Sequence, residues 1–188
     1  MKKLHRHLLW HILRRTNVEF RGYAKRPLQV ADKILRRVTD EIYTRKVREI
    51  YDASIGEHFR HLISHYESLL VLDAVTPVAK YDLRQRATLI ETDRLAAIQR
   101  NGELLDRLND ETLIECDVSV EFMSDASDPQ GFLRIKSNLS RELVFVGHHA
   151  THHIAMIKLL LKHLGCQDES AEFEQEGLAV STRQFRNN

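Results

Sequence analysis

Residues 146–156, VGHHATHHIAM, place four histidines within a pattern that otherwise predicts a buried helix. Apolar residues recur at steps of three and four from Leu139 to Leu164, which is the spacing of one helix face. Residues four apart on a helix are about 40° apart around its axis and about 6 Å apart along it. His149 and His153 can therefore direct two imidazoles at one point, an arrangement typical of a metal clamp.

A second group of histidines, His58, His61 and His65, lies in another predicted helix. With Leu62 at the centre of the apolar face, all three occupy one flank, about 40° to 100° away. Bundle helices pack about 8 to 10 Å apart between axes, so histidines on facing flanks can reach one metal with bonds near 2.0 to 2.1 Å. The spacing predicts a site shared between the two helices.

The chemistry of the donors narrows the kind of site. Neutral imidazole suits Zn, Ni, Fe or Cu, and three histidines leave coordination positions open for water or substrate, as catalytic sites do. His61 and His65 also form a pair four residues apart, so a closed site with four histidines is an alternative. A further alternative is that the histidines bind no metal and instead hydrogen-bond to Tyr66 or Glu57 or face solvent.

Composition favours one globular domain. The chain has 188 residues, 43% of them hydrophobic, which is enough for a single core. No apolar run approaches the roughly 18 residues of a membrane span, and no secretory signal is recognisable, so we expect a cytoplasmic protein. Cys116 and Cys166 are too few for a disulfide scaffold and lack metal-ligand spacing.

The net charge of +1 hides an uneven distribution. Eight lysines and arginines lie within residues 1–27, against Glu19 alone, and the remainder holds twenty basic and twenty-six acidic residues. The acidic body predicts no nucleic-acid partner. We interpret residues 1–27 as a basic, solvated N-terminal extension. The alternatives are an amphipathic helix that touches anionic membrane or nucleic acid, and a targeting segment.

Four stretches carry helical periodicity, and one stretch between the last two alternates apolar and other residues with a period of two. We expect an all-α fold, an up-down four-helix bundle with a small β-hairpin inserted before the last helix. The bundle spans residues 28–166 and is followed by a polar C-terminal tail over 167–188. The predicted helices cover 28–48, 52–73, 82–108 and 137–165, and the hairpin covers 114–135 with its turn at 124–131.

Two segments carry a resemblance to a known family. Ser54-Ile55-Gly56-Glu57-His58-Phe59-Arg60-His61-Leu62 followed by His149-Ala150-Thr151-His152-His153 resembles the DinB-like superfamily of metal-binding four-helix bundles. The resemblance covers residues 28–165 and includes the stretch 81–94. It implies a divalent metal such as Zn, Ni, Fe or Mn, with His61, His149 and His153 as ligands. The chain departs from the family where Ile154-Ala155 replaces the Arg-Gly that often follows the last histidine, which bears on substrate contacts.

The resemblance also suggests a class of activity. Relatives of this kind include thiol S-transferases that use low-molecular-weight thiols, and metal-dependent isomerases and hydrolases. Our leading hypothesis is a metal-dependent transferase or hydrolase acting on a small molecule, in which the metal lowers the pKa of a bound thiol. The alternative is a non-catalytic metal-binding protein of stress or interaction type, and a homodimer is a further expectation. A third hypothesis makes the basic extension the working part and the bundle its scaffold.

Residues outside the ligand set supply candidates for catalysis. His58 and His65 can orient a ligand or shuttle a proton. Arg94 interrupts the apolar face of the third predicted helix, where it can meet an anionic substrate group or form a structural ion pair with Glu91. Two further groups complete the set: the arginines Arg84 and Arg86 on the same helix, and the carboxylates Glu57, Glu91 and Glu142, any of which can fix the tautomer of a ligand histidine.

Overall fold

The computed structural model describes residues 2–71, 77–83, 85–113, 115–125, 127–128, 131–166, 175, 177–178 and 180–186, and the side chains of 2–17, 51, 180 and 186 lie outside the description. Four sequence predictions also lie outside it: the break at 74–76, Arg84, the start of the hairpin at Ile114, and most of the polar tail from residue 167. The described helices are α1 (Lys2–Arg37), α2 (Asp40–Thr44), α3 (Ile55–Leu70), α4 (Leu89–Thr92), α5 (Arg94–Asn109), α6 (Leu139–His163) and α7 (Val180–Arg186). The described strands are β1 (Lys46–Val47), β2 (Tyr51–Ser54), β3 (Val78–Lys80), β4 (Asp117–Met123) and β5 (Phe132–Asn138).

The prediction of an all-α up-down four-helix bundle is wrong. The described chain contains seven helices and five strands, and the strands form two sheets. The predicted hairpin is present as the antiparallel pair β4 and β5, but β3 adds to it in parallel, with Ala79 opposite Val120. Three residues carry too little alternation to reveal β3 in the sequence. The hairpin is therefore part of a three-stranded sheet, and β1 pairs with β2 in a second, antiparallel sheet.

The third predicted helix, 82–108, is wrong in its first half. Residues 81–83 and 85–88 are not helical, and Ala87 has a positive φ of 54°. The chain forms the short α4 and then restarts at α5. Asp93 causes the restart because its carboxylate accepts hydrogen bonds from the backbone N–H groups of Leu95 at 2.8 Å and Ala96 at 3.2 Å.

The first helix is longer at its start and shorter at its end than predicted. α1 runs from Lys2 to Arg37, so the expected boundary between residues 27 and 28 falls inside a continuous helix. Pro27 lacks the N–H that would bond the carbonyl four residues earlier. The next carbonyl, that of Ala24, accepts a hydrogen bond from the Tyr66 hydroxyl of α3 at 2.7 Å. A neighbouring helix thus supports α1 near its proline.

The core lies where the four long helices meet: α1 packs on α5 and α6, and α3 packs on α5 and α6. Two polar side chains fix α1 to the α5 region. The buried Asn101 donates to the carbonyl of Leu28 at 3.0 Å, and Arg21 donates to the carbonyl of Asp110 at 2.6 Å. In the described part of the chain, no helix combines the length and apolar character that a membrane crossing requires.

The sequence Asp52-Ala53-Ser54 offers a cap for the second predicted helix, and a capping box at Ser54 starts α3 at Ile55. The hydroxyl of the buried Ser54 accepts from the N–H of Glu57 at 3.1 Å, and the Glu57 carboxylate accepts from the N–H of Ser54 at 2.6 Å. This cap fixes the first turn of the helix that carries His58, His61 and His65.

Ser54→Ala is expected to lower the free energy of unfolding by about 1 kcal/mol, because it removes the cap acceptor. Thr88 is the matched control, since it occupies the N-cap of α4 without a side-chain capping bond. Its buried hydroxyl oxygen also makes no hydrogen bond, so Thr88→Ala should cause no loss. Urea unfolding of both variants measures the difference, and equal losses would contradict the assignment.

Candidate metal centre

Packing of α3 on α6 brings together the three histidines that the family resemblance selects. One ring nitrogen from each of His61, His149 and His153 lies within 4.8 Å of the others. The Nε2 atoms of His61 and His149 are 2.9 Å apart. Two bonds of about 2.05 Å at a right angle separate their nitrogens by about 2.9 Å, and a tetrahedral angle by about 3.3 Å. The nitrogens are therefore spaced to hold one ion, and without an ion the same distance accommodates an N–H to N hydrogen bond.

The three rings differ in their access to solvent. His153 is only 9% exposed, whereas His61 and His149 are half-buried. The ring centroid of His61 lies 5.0 Å from that of His149 and 4.4 Å from that of His153. The cluster thus has one buried member and two members that border solvent, which leaves one side of the candidate site accessible.

Burial sets the protonation state of His153. Burial, together with the positive charges that its histidine neighbours can carry, lowers the pKa of this imidazole to about 3. Burial also lowers the pKa of His58. Both rings are therefore neutral near pH 7. Neutral imidazole is the form that offers a lone pair to a metal.

His58 lies directly behind His153. It is 5% exposed, and its Nδ1 lies 3.2 Å from the Nδ1 of His153. Because both rings are neutral, one Nδ1 carries the shared proton and the other accepts it. With the proton on His153, its Nε2 keeps a lone pair for a metal. His58 is therefore placed to select the tautomer of a candidate ligand.

His65 occupies a different place from the three candidate ligands. Its Nδ1 lies 2.9 Å from the backbone carbonyl oxygen of His61, so this nitrogen carries a proton and donates. Its ring lies against that of His149, with the centroids 3.9 Å apart. His65 contributes no nitrogen to the set within 4.8 Å. This geometry favours three histidine ligands over the closed four-histidine alternative.

A buried carboxylate and a tyrosine support His65 from its far side. Glu142 is fully buried and accepts from the hydroxyls of Tyr81 at 2.8 Å and Ser137 at 2.5 Å, and from Arg141 at 2.6 Å. The Tyr81 ring stacks on His65 with an interplanar angle of 14°. Burial, together with the Glu142 charge, raises the pKa of Tyr81, so the phenol stays protonated and donates. The sequence offered Glu142 as a candidate carboxylate but gave no signal for Tyr81, which follows a three-residue strand.

Glu91 and Arg94 do not pair with each other. The Glu91 carboxylate forms an ion pair with Arg60 at 2.6 Å, and both side chains are 14% exposed. Arg94 pairs with Asp40 at 2.7 Å and donates to the carbonyl of Leu35 at 3.0 Å. Arg94 therefore ties α5 to α1 and α2. The partner of Glu91 is a neighbour of the histidine cluster, because Arg60 directly precedes His61 on α3.

Acid is expected to destabilise the metal-free protein, because His153 stays neutral in the fold while the unfolded chain takes up a proton. The folded pKa of about 3 lies below the ordinary value of 6.5. Stability is thus fully present above about pH 6.5 and is lost as the pH falls toward 3, by roughly 1 kcal/mol per pH unit for one proton. Urea unfolding in the presence of a chelator measures this slope. His153→Gln should make the slope shallower by that amount, and an unchanged slope would contradict the assignment.

Comparison with known proteins gives one curated relative and no family. No family model matches the chain, and no solved structure gives a significant match. The chain is 31% identical over 122 residues to a protein of Rhizopus delemar named FK506-binding protein 5. The matched region is 64% of this chain but only 30% of that protein. The chain thus spans less than a third of its curated relative, and the resemblance to the DinB-like superfamily rests on the residues quoted for it.

Proposed function

We propose that this chain binds one divalent metal ion through His61, His149 and His153 and acts on a small molecule at that ion. The observation that carries the proposal is the convergence of three imidazole nitrogens from two helices within 4.8 Å. Nitrogen donors of this type suit Zn, Ni or Fe, and Mn is the candidate that the family resemblance adds. The low pKa of His153 supports the proposal, because a buried neutral imidazole needs no deprotonation before it binds an ion.

The proposed site has three protein ligands, and this number supports a catalytic role of the metal ion over a purely structural one. Structural zinc sites close with four protein ligands, whereas catalytic sites use three and keep a position for water or substrate. His61 and His149 are half-buried whereas His153 is buried, so we place the open position on the side of His61 and His149. A bound ion would supply Lewis acidity and lower the pKa of a thiol or water placed there.

The residues around the cluster position its ligands. His58 holds the Nδ1 of His153 at 3.2 Å, and His65 is fixed by the carbonyl of His61 and by the ring of Tyr81. The Phe145 ring lies 5.0 Å from that of Tyr81 and 5.9 Å from that of His149. These aromatic rings make an apolar wall beside the ligands, which favours a substrate with an apolar part.

The reaction we propose is transfer of a low-molecular-weight thiol to an electrophilic carbon. The thiol loses its proton to solvent or to a nearby imidazole, the sulfur forms a bond to carbon, and the leaving group departs with the electron pair of the broken bond. Hydrolysis would use the same site with water in place of the thiol. The family resemblance and the open side of the cluster support the thiol reaction.

Cobalt substitution tests the open position directly. The metal-free protein is loaded with Co²⁺, and 2-mercaptoethanol is added while the near-ultraviolet spectrum is recorded. We expect a sulfur-to-cobalt charge-transfer band that saturates at one thiol per ion, and ethylene glycol should give none. His149→Ala should abolish the band and His148→Ala should retain it. Cobalt binding without a thiol band would contradict the thiol-dependent reaction.

A further inference from the structure

A pocket lies on α6 away from the candidate metal ligands, between α1 and the residues Gly177, Leu178 and Arg183. Its volume is about 240 Å³. None of its lining residues is a candidate metal ligand. Its polar lining consists of Tyr23 and Arg26 from α1, His148, Thr151 and His152 from α6, and Arg183 from α7.

The charges in this pocket are of one sign. Of the residues that the structure describes, two arginines line it and no acidic residue does. Among the residues that the structure describes, neither Arg26 nor Arg183 forms an ion pair. Both lie close enough to the Tyr23 hydroxyl for their charges to lower its pKa, although burial raises that pKa by more. The two arginines therefore place positive charge on a common region of the pocket.

Two glycines allow the walls of the pocket to approach each other. A Cβ on Gly147 would lie 3.0 Å from two carbons of the Tyr23 ring, so this ring packs closely on α6 at the glycine. The ring also contacts that of His148, with the centroids 5.6 Å apart. Gly177 has a φ of +82°, and a Cβ on it would lie 3.2 Å from the backbone nitrogen of Ala155. Gly177 thus packs closely on α6.

The rest of the lining is mostly apolar. Pro27, Ala155 and Leu178 face the same space as the arginines. A ligand that fits must therefore combine a negative group with an apolar body. The guanidinium fork matches the oxygen spacing of carboxylate and phosphate, to which it donates two parallel hydrogen bonds.

We propose that this pocket binds the phosphate or carboxylate group of a small molecule through Arg26 and Arg183, with the apolar body of that molecule against Leu178 and Ala155. The site does not require the metal, and it goes beyond the proposed function. The His152 ring lies 5.6 Å from that of His153, so the pocket and the metal cluster are neighbours on α6.

Binding of aromatic anions to the metal-free full chain tests the proposal. Phenyl phosphate and benzoate are titrated by calorimetry in the presence of a chelator, and phenol serves as the uncharged probe. We expect phenyl phosphate or benzoate to bind at least about tenfold more tightly than phenol, since hydrogen bonds to charged groups contribute more than neutral ones. The tighter of the two anions identifies the natural group as phosphate or carboxylate.

Two arginine variants show where the anion binds. Arg26→Gln and Arg183→Gln should each weaken binding by about tenfold or more. Arg48→Gln is the control, because Arg48 is 82% exposed and pairs with Asp52 away from the pocket. Thermal unfolding checks that each variant folds. Equal affinity for phenol, wild-type affinity in both pocket variants, or no binding of either anion would overturn the proposal. Because the assay is metal-free, its failure would leave the metal proposal unaffected.

Discussion

Gly56→Ala is expected to destabilise the fold by about 3 kcal/mol, at the upper end of the usual cost of overpacking. A Cβ at this position would lie 2.1 Å from the carbonyl oxygen of Glu91 and 2.8 Å from Cε1 of Tyr43. The first of these is a backbone atom of α4, and the Tyr43 hydroxyl holds the adjacent carbonyl of Ile90 at 2.5 Å. Neither neighbour can move without disturbing the other, so α4 must separate from α3.

Gly102 provides the matched control for this substitution. It lies within α5, and nothing occupies the 4 Å around the position of a Cβ there. Gly102→Ala should therefore stabilise the protein by about 0.5 to 1 kcal/mol, because alanine loses less backbone entropy in a helix. If the description of α3 and α4 is correct, urea unfolding shows a lower free energy of unfolding than the wild type for Gly56→Ala and a higher one for Gly102→Ala. A loss below about 1 kcal/mol for Gly56→Ala would contradict it.

His149→Ala and His153→Ala are each expected to reduce metal affinity by more than about 100-fold, the upper limit for loss of a residue that only supports a ligand. Each substitution removes one of the three nitrogen donors. The two donors that remain compete poorly with the water molecules that surround the free ion. His148 and His152 are the matched controls, because both are exposed neighbours on α6 that contribute no nitrogen to the cluster. Their alanine variants should keep wild-type affinity.

His58→Ala should lie between these extremes, with a loss of about 10- to 100-fold, since it removes the partner that orients His153 but no ligand. Competition against a chromogenic chelator measures all five variants on one scale. Equal affinity in the ligand and control variants would show that the metal binds elsewhere. A His58 effect as large as that of His153 would make His58 a ligand.

The sequence was most informative where periodicity and capping agreed. Both ends of α6 lie within a few residues of the prediction. Asn138 caps the start of the helix, because its side chain accepts a hydrogen bond from the N–H of Arg141, and Gly165, with a φ of 71°, follows its end. α3 was predictable for the same reason, from Ser54 and the apolar steps after it. These two helices carry the histidines, so the closeness of His61, His149 and His153 followed from helix geometry and the family resemblance.

The rest of the fold depends on tertiary contacts that leave little local signal. β3 is three residues long and is held by pairing with β4, which comes about forty residues later. The helical pattern of residues 82–108 was compatible with one helix, but the Asp93 cap divides it. The predicted boundary between residues 27 and 28 lies inside α1, which continues through Pro27 because the helix packs on α5 and α6. In each case the packing overrides the local preference.

Some neighbours of the candidate site were predictable from the sequence, and others were not. His58 was predictable as a neighbour of the candidate ligands because it shares a flank of α3 with His61. Tyr81 was not predictable, since only the sheet brings it to His65 and Glu142. Arg94 was considered as a substrate contact because it interrupts an apolar face, but the structure pairs it with Asp40. A charged residue within an apolar pattern is explained equally well by an ion pair between helices.

The metal content of the untagged protein tests the central claim most directly. Elemental analysis is carried out on the wild type and on the variant with His61, His149 and His153 all replaced by alanine, each after incubation with Zn²⁺, Ni²⁺, Fe²⁺ or Mn²⁺ and removal of free ion. The account predicts about one ion per chain for at least one metal in the wild type and less than about a tenth of that in the variant. A wild type without stoichiometric metal, or a folded triple variant that retains it, would contradict the account.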